Sequence, residues 1–233
     1  MSEYIRKPAK PIQPPTPLPL EDDEDLFYVS TQIEIERLTN IAMEELIHQD
    51  NMDAAIRRFE EQQEKSTKRL RTALLILISA YYLRGKKHAE DQMGRGTILS
   101  PDDITLIGGL AERGTQLIDD IFGELKTEYG ALFAEREKEI KNLRTALIRA
   151  DNRFRMMAGA ESMFARNEAT LLAFKKAGGV FFVRWIVTED ERLCEKCAPN
   201  ADRIFLLSEA SGKIPLHPYC RCMWNQVTRD ELV

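Results

Sequence analysis

Apolar residues recur at spacings of three and four along most of the chain, and that period predicts helices. Ile33, Ile35, Leu38, Ile41, Ala42 and Leu46 form one such stripe, inside a helical region running from about Leu26 to Leu83. Asn51 and Asp53 offer capping oxygens to a second helix, which carries Ala55, Ile56 and Phe59 and leads into the apolar run Ala73 to Leu83. Arg84-Gly85-Lys86-Lys87-His88 reads as its stop, with cations and a glycine at the negative end of the helix dipole. Ser100-Pro101-Asp102-Asp103 predicts a fresh start: a capping hydroxyl, proline at the first helical position, then carboxylates over the first turn. Ile104, Ile107, Leu110, Leu117, Ile118, Ile121, Phe122 and Leu125 continue that helix, and Gly130 is expected to break it. Ile140, Leu143, Leu147, Ala150, Phe154 and Met157 make the most regular seam, expected of a bundle helix. A last helix over 166–177 should stop at Gly178-Gly179.

Beyond Gly179 the period changes. Residues 180–188 are rich in β-branched and aromatic side chains, and 204–207 and 223–227 are short candidate strands separated by turn residues. The expected fold class is mainly α with a small C-terminal α+β module, an elongated helical bundle carrying a stapled tip. Four regions follow: a proline-rich, acidic arm over 1–25, an N-terminal helical region over 26–99, a central helical region over 100–160, and the C-terminal module over 161–233. The arm holds six of the ten prolines and the run Glu21-Asp22-Asp23-Glu24-Asp25, a composition that favours extended backbone.

Composition narrows the partners. With 33 Lys and Arg against 38 Asp and Glu, the net charge of -5 does not by itself suggest nucleic acid or membrane. A local surplus exists from Ala134 to Ile186, where eleven cations stand against six acids. It could meet phosphates; the preferred reading is a solvated helix face paired with acids such as Glu135, Glu137 and Glu139. The longest apolar run has 11 residues, short of the roughly 17–25 needed to span a bilayer, so no membrane is expected. Met1 opens into charged and proline-rich residues with no secretory pattern, so the chain is expected to be made and kept in a cytoplasm.

All four cysteines lie between positions 194 and 222. Cys194-x-x-Cys197 puts two thiolates on one tight turn, a bite that suits a tetrahedral ion with sulfur bonds of about 2.3 Å. His217, Cys220 and Cys222 follow some twenty residues later. Five candidates thus compete for four positions on one structural zinc per chain. If residues 220–223 enter a strand, Cys220 and Cys222 face the same side and both can ligate. If they form a turn, His217 and Cys220 make a second bite. The expected set is Cys194, Cys197 and Cys222, with His217 preferred to Cys220 for the fourth place. Thiolate-rich sites are usually coordinatively closed, and no catalytic set assembles elsewhere. Glu189, Asp190 and Glu191 read as a solvated acidic turn, and His48 and His88 sit in helical contexts where surface or packing roles are the default. No phosphate loop or nucleophile elbow is present. The chain is expected not to be an enzyme, and no cofactor other than zinc is called for.

Ala165-Arg166-Asn167-Glu168, then Gly178-Gly179, Arg184-Trp185, Asp190, Cys194-x-x-Cys197 and Leu216-His217-Pro218-Tyr219-Cys220-Arg221-Cys222 occur in that order. The combination resembles the tailed-phage head-morphogenesis family, the minor head proteins typified by the F-like protein of phage Mu. The likeness covers residues 160–225 closely and 100–160 as a helical layout. Asn167 stands where the family usually has threonine, and Ala198-Pro199-Asn200-Ala201 replaces a glycine-containing turn. The resemblance implies a virion protein of the phage head, present in host cytoplasm during assembly. It implies docking on the portal protein or the major capsid protein, self-association in the virion, and a part in head assembly and DNA packaging or ejection. Non-specific contact with packaged DNA is the alternative role.

Overall fold

Four long helices make up most of the described chain: α1 (Glu21–His48), α2 (Met52–Gln92), α3 (Pro101–Ala134) and α4 (Glu139–Ala177). The computed structural model describes residues 21–48, 52–134, 139–188 and 194–231. The arm over 1–20, Asn51, Glu135, Glu137 and the acidic turn Glu189-Asp190-Glu191 lie outside those residues, as do the side chains of Ala42, Leu46, His48, Ala55, Glu139, Ile140 and Leu143.

α2 and α4 form the centre of the helical body: they pack on each other, and each also packs on α1 and α3. The main core gathers Phe27 and Leu38 of α1, Phe59, Leu70, Leu74 and Tyr81 of α2, Ile118 and Phe122 of α3, and Leu147 and Phe154 of α4. Phe122 and Phe154 meet edge to face with ring centroids 5.1 Å apart. The predicted α4 seam is buried at Leu147, Ala150, Phe154 and Met157. Ile33 and Ile104, assigned to apolar stripes, are exposed instead. Among the described residues no helix is long and apolar enough to cross a membrane.

Several helix limits depart from the sequence expectation. α1 starts at Glu21, so Glu21–Asp25, assigned from sequence to the arm, belong to its first turns. α2 runs through the expected stop to Gln92. Gly85 is no cap: a Cβ there would lie 1.9 Å from the Arg166 carbonyl oxygen, so its bare backbone is what lets α2 and α4 touch. Thr170 Oγ1 donates to the Gly85 carbonyl at 3.0 Å across that crossing. α3 passes Gly130 to reach Ala134. α4 is one continuous helix where two were expected.

The start of α3 matches the Ser-Pro-Asp-Asp reading. Ser100 N and Oγ both donate to Asp103 Oδ2 at 2.7 Å, and Asp103 N donates back to Ser100 Oγ at 3.4 Å, a reciprocal capping box. Asp103 also ties α3 to α2, accepting from Tyr82 Oη at 2.7 Å and from buried Lys86 Nζ at 2.9 Å. Burial opposes ionisation of Asp103, but these bonds from Ser100, Tyr82 and Lys86 outweigh it and hold the carboxyl well below its usual range. Lys86, expected at a helix end, is therefore a core cation, 4% exposed and also 3.4 Å from Glu90.

The C-terminal residues form a three-stranded antiparallel sheet in the order β2-β1-β3, with β1 Phe182–Ile186, β2 Ile204–Leu206 and β3 Met223–Gln226. Trp185 pairs with Trp224 across β1 and β3, and Val183 with Phe205 across β1 and β2. Alternation sends Val183, Trp185 and Trp224 inward, onto Leu171, Ala173 and Phe174 of α4 and Ala89 of α2. The two indoles meet edge to face at 5.2 Å, and Phe205 stands 5.5 Å from Trp224. A polar seam joins β3 to the end of α2. Gln92 Oε1 accepts from Gln226 N at 2.9 Å, Gln226 Nε2 donates to the Gln92 carbonyl at 2.8 Å, and a His88 ring nitrogen lies 2.9 Å from Asn225 Oδ1.

Candidate metal centre

Two tight turns meet beside the sheet. In the first, Cys197 N and Ala198 N both donate to the Cys194 carbonyl at 3.0 Å, and a short 3-10 turn over Ala198–Asn200 follows. In the second, Cys220 N donates to the His217 carbonyl at 3.1 Å. Tyr219 completes that turn at φ 62°, the left-handed region that side chains other than glycine seldom occupy. Its ring has room because it lies over Gly159 of α4, where a Cβ would come within 3.3 Å of Tyr219 Cδ1. Of the two sequence alternatives the turn is the one realised: 217–220 is a turn, and Cys220 and Cys222, both buried, precede β3 instead of lying in it.

The turns bring all five candidates together. His217 Nε2 lies 3.0 Å from Cys194 Sγ and 3.1 Å from Cys197 Sγ, and Cys197 Sγ lies 3.8 Å from Cys220 Sγ. The donor atoms form two triads sharing Cys197, one with Cys194 and His217 and one with Cys220 and Cys222, each within 4.8 Å. Donors on a tetrahedron with bonds of about 2.0–2.3 Å stand roughly 3.3–3.8 Å apart; the Cys197–Cys220 separation falls in that range and the two His217 distances are a few tenths of an ångström shorter, so the cluster is a possible metal site. All four cysteines are free thiols.

The imidazole is oriented for ligation. His217 Nδ1 is 2.6 Å from the Pro218 carbonyl oxygen, which can only accept, so Nδ1 carries the proton and the Nε2 lone pair faces the sulfurs. The thiols are electrostatically divided. A hydrogen bond from Cys222, working against burial, lowers Cys220 to about 5. Burial, reinforced by the Cys194 neighbour, pushes Cys197 up to about 12. Cys222 is pushed far up by the bond it gives Cys220 and by burial. Burial opposes ionisation of Cys194, but backbone and side-chain hydrogen bonds around Cys197 lower it. Packed this closely, the sulfurs cannot all ionise without a cation among them, and thiolates with an imidazole are a donor set for which a soft or borderline divalent ion fits.

α4 supplies the seat. Asn167, read from sequence only as a departure from a threonine, donates through Nδ2 to the Cys222 carbonyl at 3.2 Å and to the Met163 carbonyl at 2.8 Å. Glu168 accepts from Gly212 N at 2.9 Å and Ser211 Oγ at 2.8 Å, anchoring the loop between the two turns. Thr188 Oγ1 reaches the Arg221 carbonyl at 3.5 Å. Arg166 is buried, with Tyr81 and Arg84 as its charged or polar neighbours. Sequence reasoning gave Asn167 and Glu168 no positioning role; their signal was membership of the 165–168 motif that opens the family-like order.

Five of the eleven cations counted from Ala134 to Ile186 stand in ion pairs among the described residues. Arg149 pairs with Glu128, Arg153 with Glu124, Arg155 with Asp151, Lys176 with Asp102 and Asp103, and Arg184 with Glu231. Glu135, Glu137 and Glu139, the acids named for the preferred sequence reading, lie outside the described residues or have side chains outside them. No protein-family model matches the chain, and no curated protein or solved structure matches it.

Proposed function

We propose that this chain is a structural protein of a tailed-phage head, without catalytic activity, whose C-terminal sheet is stapled to the helical body by one zinc ion. The observation that carries the metal half is His217, its Nδ1–H bonded to the Pro218 carbonyl and its Nε2 turned to the sulfurs of Cys194 and Cys197. Zinc suits thiolate and imidazole donors in four-coordination, and the paired turns favour Cys194, Cys197, His217 and Cys220 as the four. This ranks Cys220 above the sequence choice of Cys222. Five donors for four positions leave no vacancy for a catalytic water. A sheet of three short strands is too small to hold itself together, and a metal staple compensates for the missing core.

The phage half rests on the order of the motifs at 165–168, 178–179, 184–185, 194–197 and 216–222 and on their shared task here, since α4 residues 167–168 seat the tip that carries the others. Docking on the portal or major capsid protein, association with further copies, and help in packaging or ejecting DNA belong to this reading. Elemental analysis of the purified chain, with thiol titration before and after chelation, tests the metal: one zinc per chain and thiols released by chelation are expected, and metal-free, oxidised cysteines would sink it. Mass spectrometry of purified particles tests the location. The wild-type chain should be found in heads and Cys194→Ser should not, while its absence from particles would refute the assignment.

A further inference from the structure

Residues 73–83 of α2 are apolar on every side of the helix except at Ser79, a composition that belongs to a helix covered all round. Among the described residues the fold covers only half of it. Leu74, Leu77, Ile78, Tyr81 and Tyr82 are buried, whereas Leu75 is 43% exposed, Ile76 50% and Leu83 38%. Gly85 marks the line along which α2 touches α4. At about 100° per residue, Ile76 and Leu83 stand about 160–180° round the helix from that line, on the face turned to solvent. Ser79 and Ala80 lie between them. The Ser79 hydroxyl already donates to the Leu75 carbonyl at 2.7 Å, so covering it strands no donor.

The charges at the two ends of this strip come in opposite order. Glu64 pairs with Lys68 at 2.7 Å ahead of it, and Lys87 pairs with Asp91 at 2.6 Å after it. All four side chains are more than half exposed. A second α2 laid antiparallel over the first therefore finds one favourable register. With Ile76 of each copy on Leu83 of the other, Ser79 meets Ala80 at the centre and Lys68 stands by Asp91 at both ends. Slipping by one turn, to set Lys68 on Lys87 and Glu64 on Asp91, opposes like charges.

We infer that the outer face of α2 is a homodimer surface, on which two copies pack antiparallel about a two-fold axis between Ser79 and Ala80. This supplies the surface for the association between copies proposed above and rests on that part of the reading, not on the metal. The same strip serves both copies, so pairing closes at two. Its small central residues let the helices approach, and the side chains of Leu75, Ile76 and Leu83 leave water. A strip about 36 Å long and about 10 Å wide falls well short of the roughly 800 Å² that each partner buries in a standard complex, so the dimer is weak, with a Kd of about 1–100 μM.

Sedimentation velocity of the full chain, run from well below to well above that range, tests this. The mass should rise from one copy to two and stop there. Ile76→Glu and Leu83→Glu, each placing a charge in the apolar strip, should weaken the dimer at least about 10-fold. Both side chains are exposed in the single chain, so helicity and Tm of the monomer should stay near wild type. Lys68→Glu and Asp91→Lys should each weaken it about 3- to 10-fold, and the two together should recover most of the loss, because the pair at each end is rebuilt with its signs exchanged. A dimer indifferent to Ile76→Glu and Leu83→Glu would show that copies meet elsewhere: the surface falls and self-association stands. Growth beyond two copies, or no recovery in the charge-exchanged double variant, would refute the two-fold arrangement. A chain that stays single at every concentration would remove self-association itself, and this surface with it.

Discussion

Replacing Gly85 with alanine should destabilise the protein, although the same change in a solitary helix would do the opposite. Alanine is favoured over glycine inside a helix by about 0.5–1 kcal/mol, because glycine loses more backbone freedom on folding. In this fold the new methyl would stand 1.9 Å from the Arg166 carbonyl oxygen, 2.7 Å from its carbonyl carbon and 2.9 Å from its Cα. All three are backbone atoms, so no rotamer change relieves the clash and α2 must move away from α4. Overpacking of this kind costs about 1–3 kcal/mol or more. The Thr170 Oγ1 bond to the Gly85 carbonyl lengthens with the separation and adds about 1 kcal/mol. Set against the propensity gain, the net loss is about 1–3 kcal/mol, or a fall in Tm of about 2–12 °C for a chain of this size. Thermal and urea unfolding followed by far-UV circular dichroism would measure it. Gly108→Ala and Gly123→Ala in α3 are the controls, since a Cβ at either meets nothing within 4 Å, and each should stabilise by about 0.5–1 kcal/mol. A Gly85→Ala protein that melts above the wild type, in step with those controls, would refute the α2–α4 contact.

Asp103→Asn should cost about 1–3 kcal/mol at neutral pH, because buried Lys86 loses the closer of its two carboxylates and keeps only Glu90 at 3.4 Å. The Asp103 carboxyl is depressed in the folded state, so its contribution is complete above the unfolded value of about 3.9 and is lost as pH falls below it. The stability gap between Asp103→Asn and wild type should therefore narrow below about pH 4, and a gap independent of pH would contradict the ionised pair. Gln92→Ala should remove the acceptor from the Gln226 N–H and cost about 1–3 kcal/mol in urea unfolding, with near-UV dichroism of Trp224 weakened first; no change would mean that water replaces the side chain.

Helices were legible wherever their signal was local. The capping box at Ser100-Pro101-Asp102-Asp103 and the seam at Leu147, Ala150, Phe154 and Met157 depend on residues three or four apart, and the structure realises both. The strands also stand where the change of residue type put them, the first shorter by two residues at each end and the other two by one. Cysteine spacing likewise pointed to the candidate metal centre, because a Cys-x-x-Cys bite is a property of one turn. The misreadings share a cause. Gly85 was taken for a stop because glycine ends helices when judged alone, whereas its reason here is the Arg166 backbone, 81 positions away in the sequence. Lys86 looked like a helix-end cation until Asp103 from α3 was brought beside it.

By itself the sequence determined that the chain would be helical with a small β-containing end, and that sulfur and imidazole would gather at that end. Only tertiary structure decided which helices run on, which charges are buried, and which side chains hold the tip: Asn167 under Cys222, Glu168 under the 211–212 loop, Gln92 along β3. Local order is written in short-range spacing and backbone preference. The rest depends on groups distant in the chain meeting in a low-dielectric interior, where an unmatched charge, an unpaired donor or an extra methyl costs more than any local preference returns.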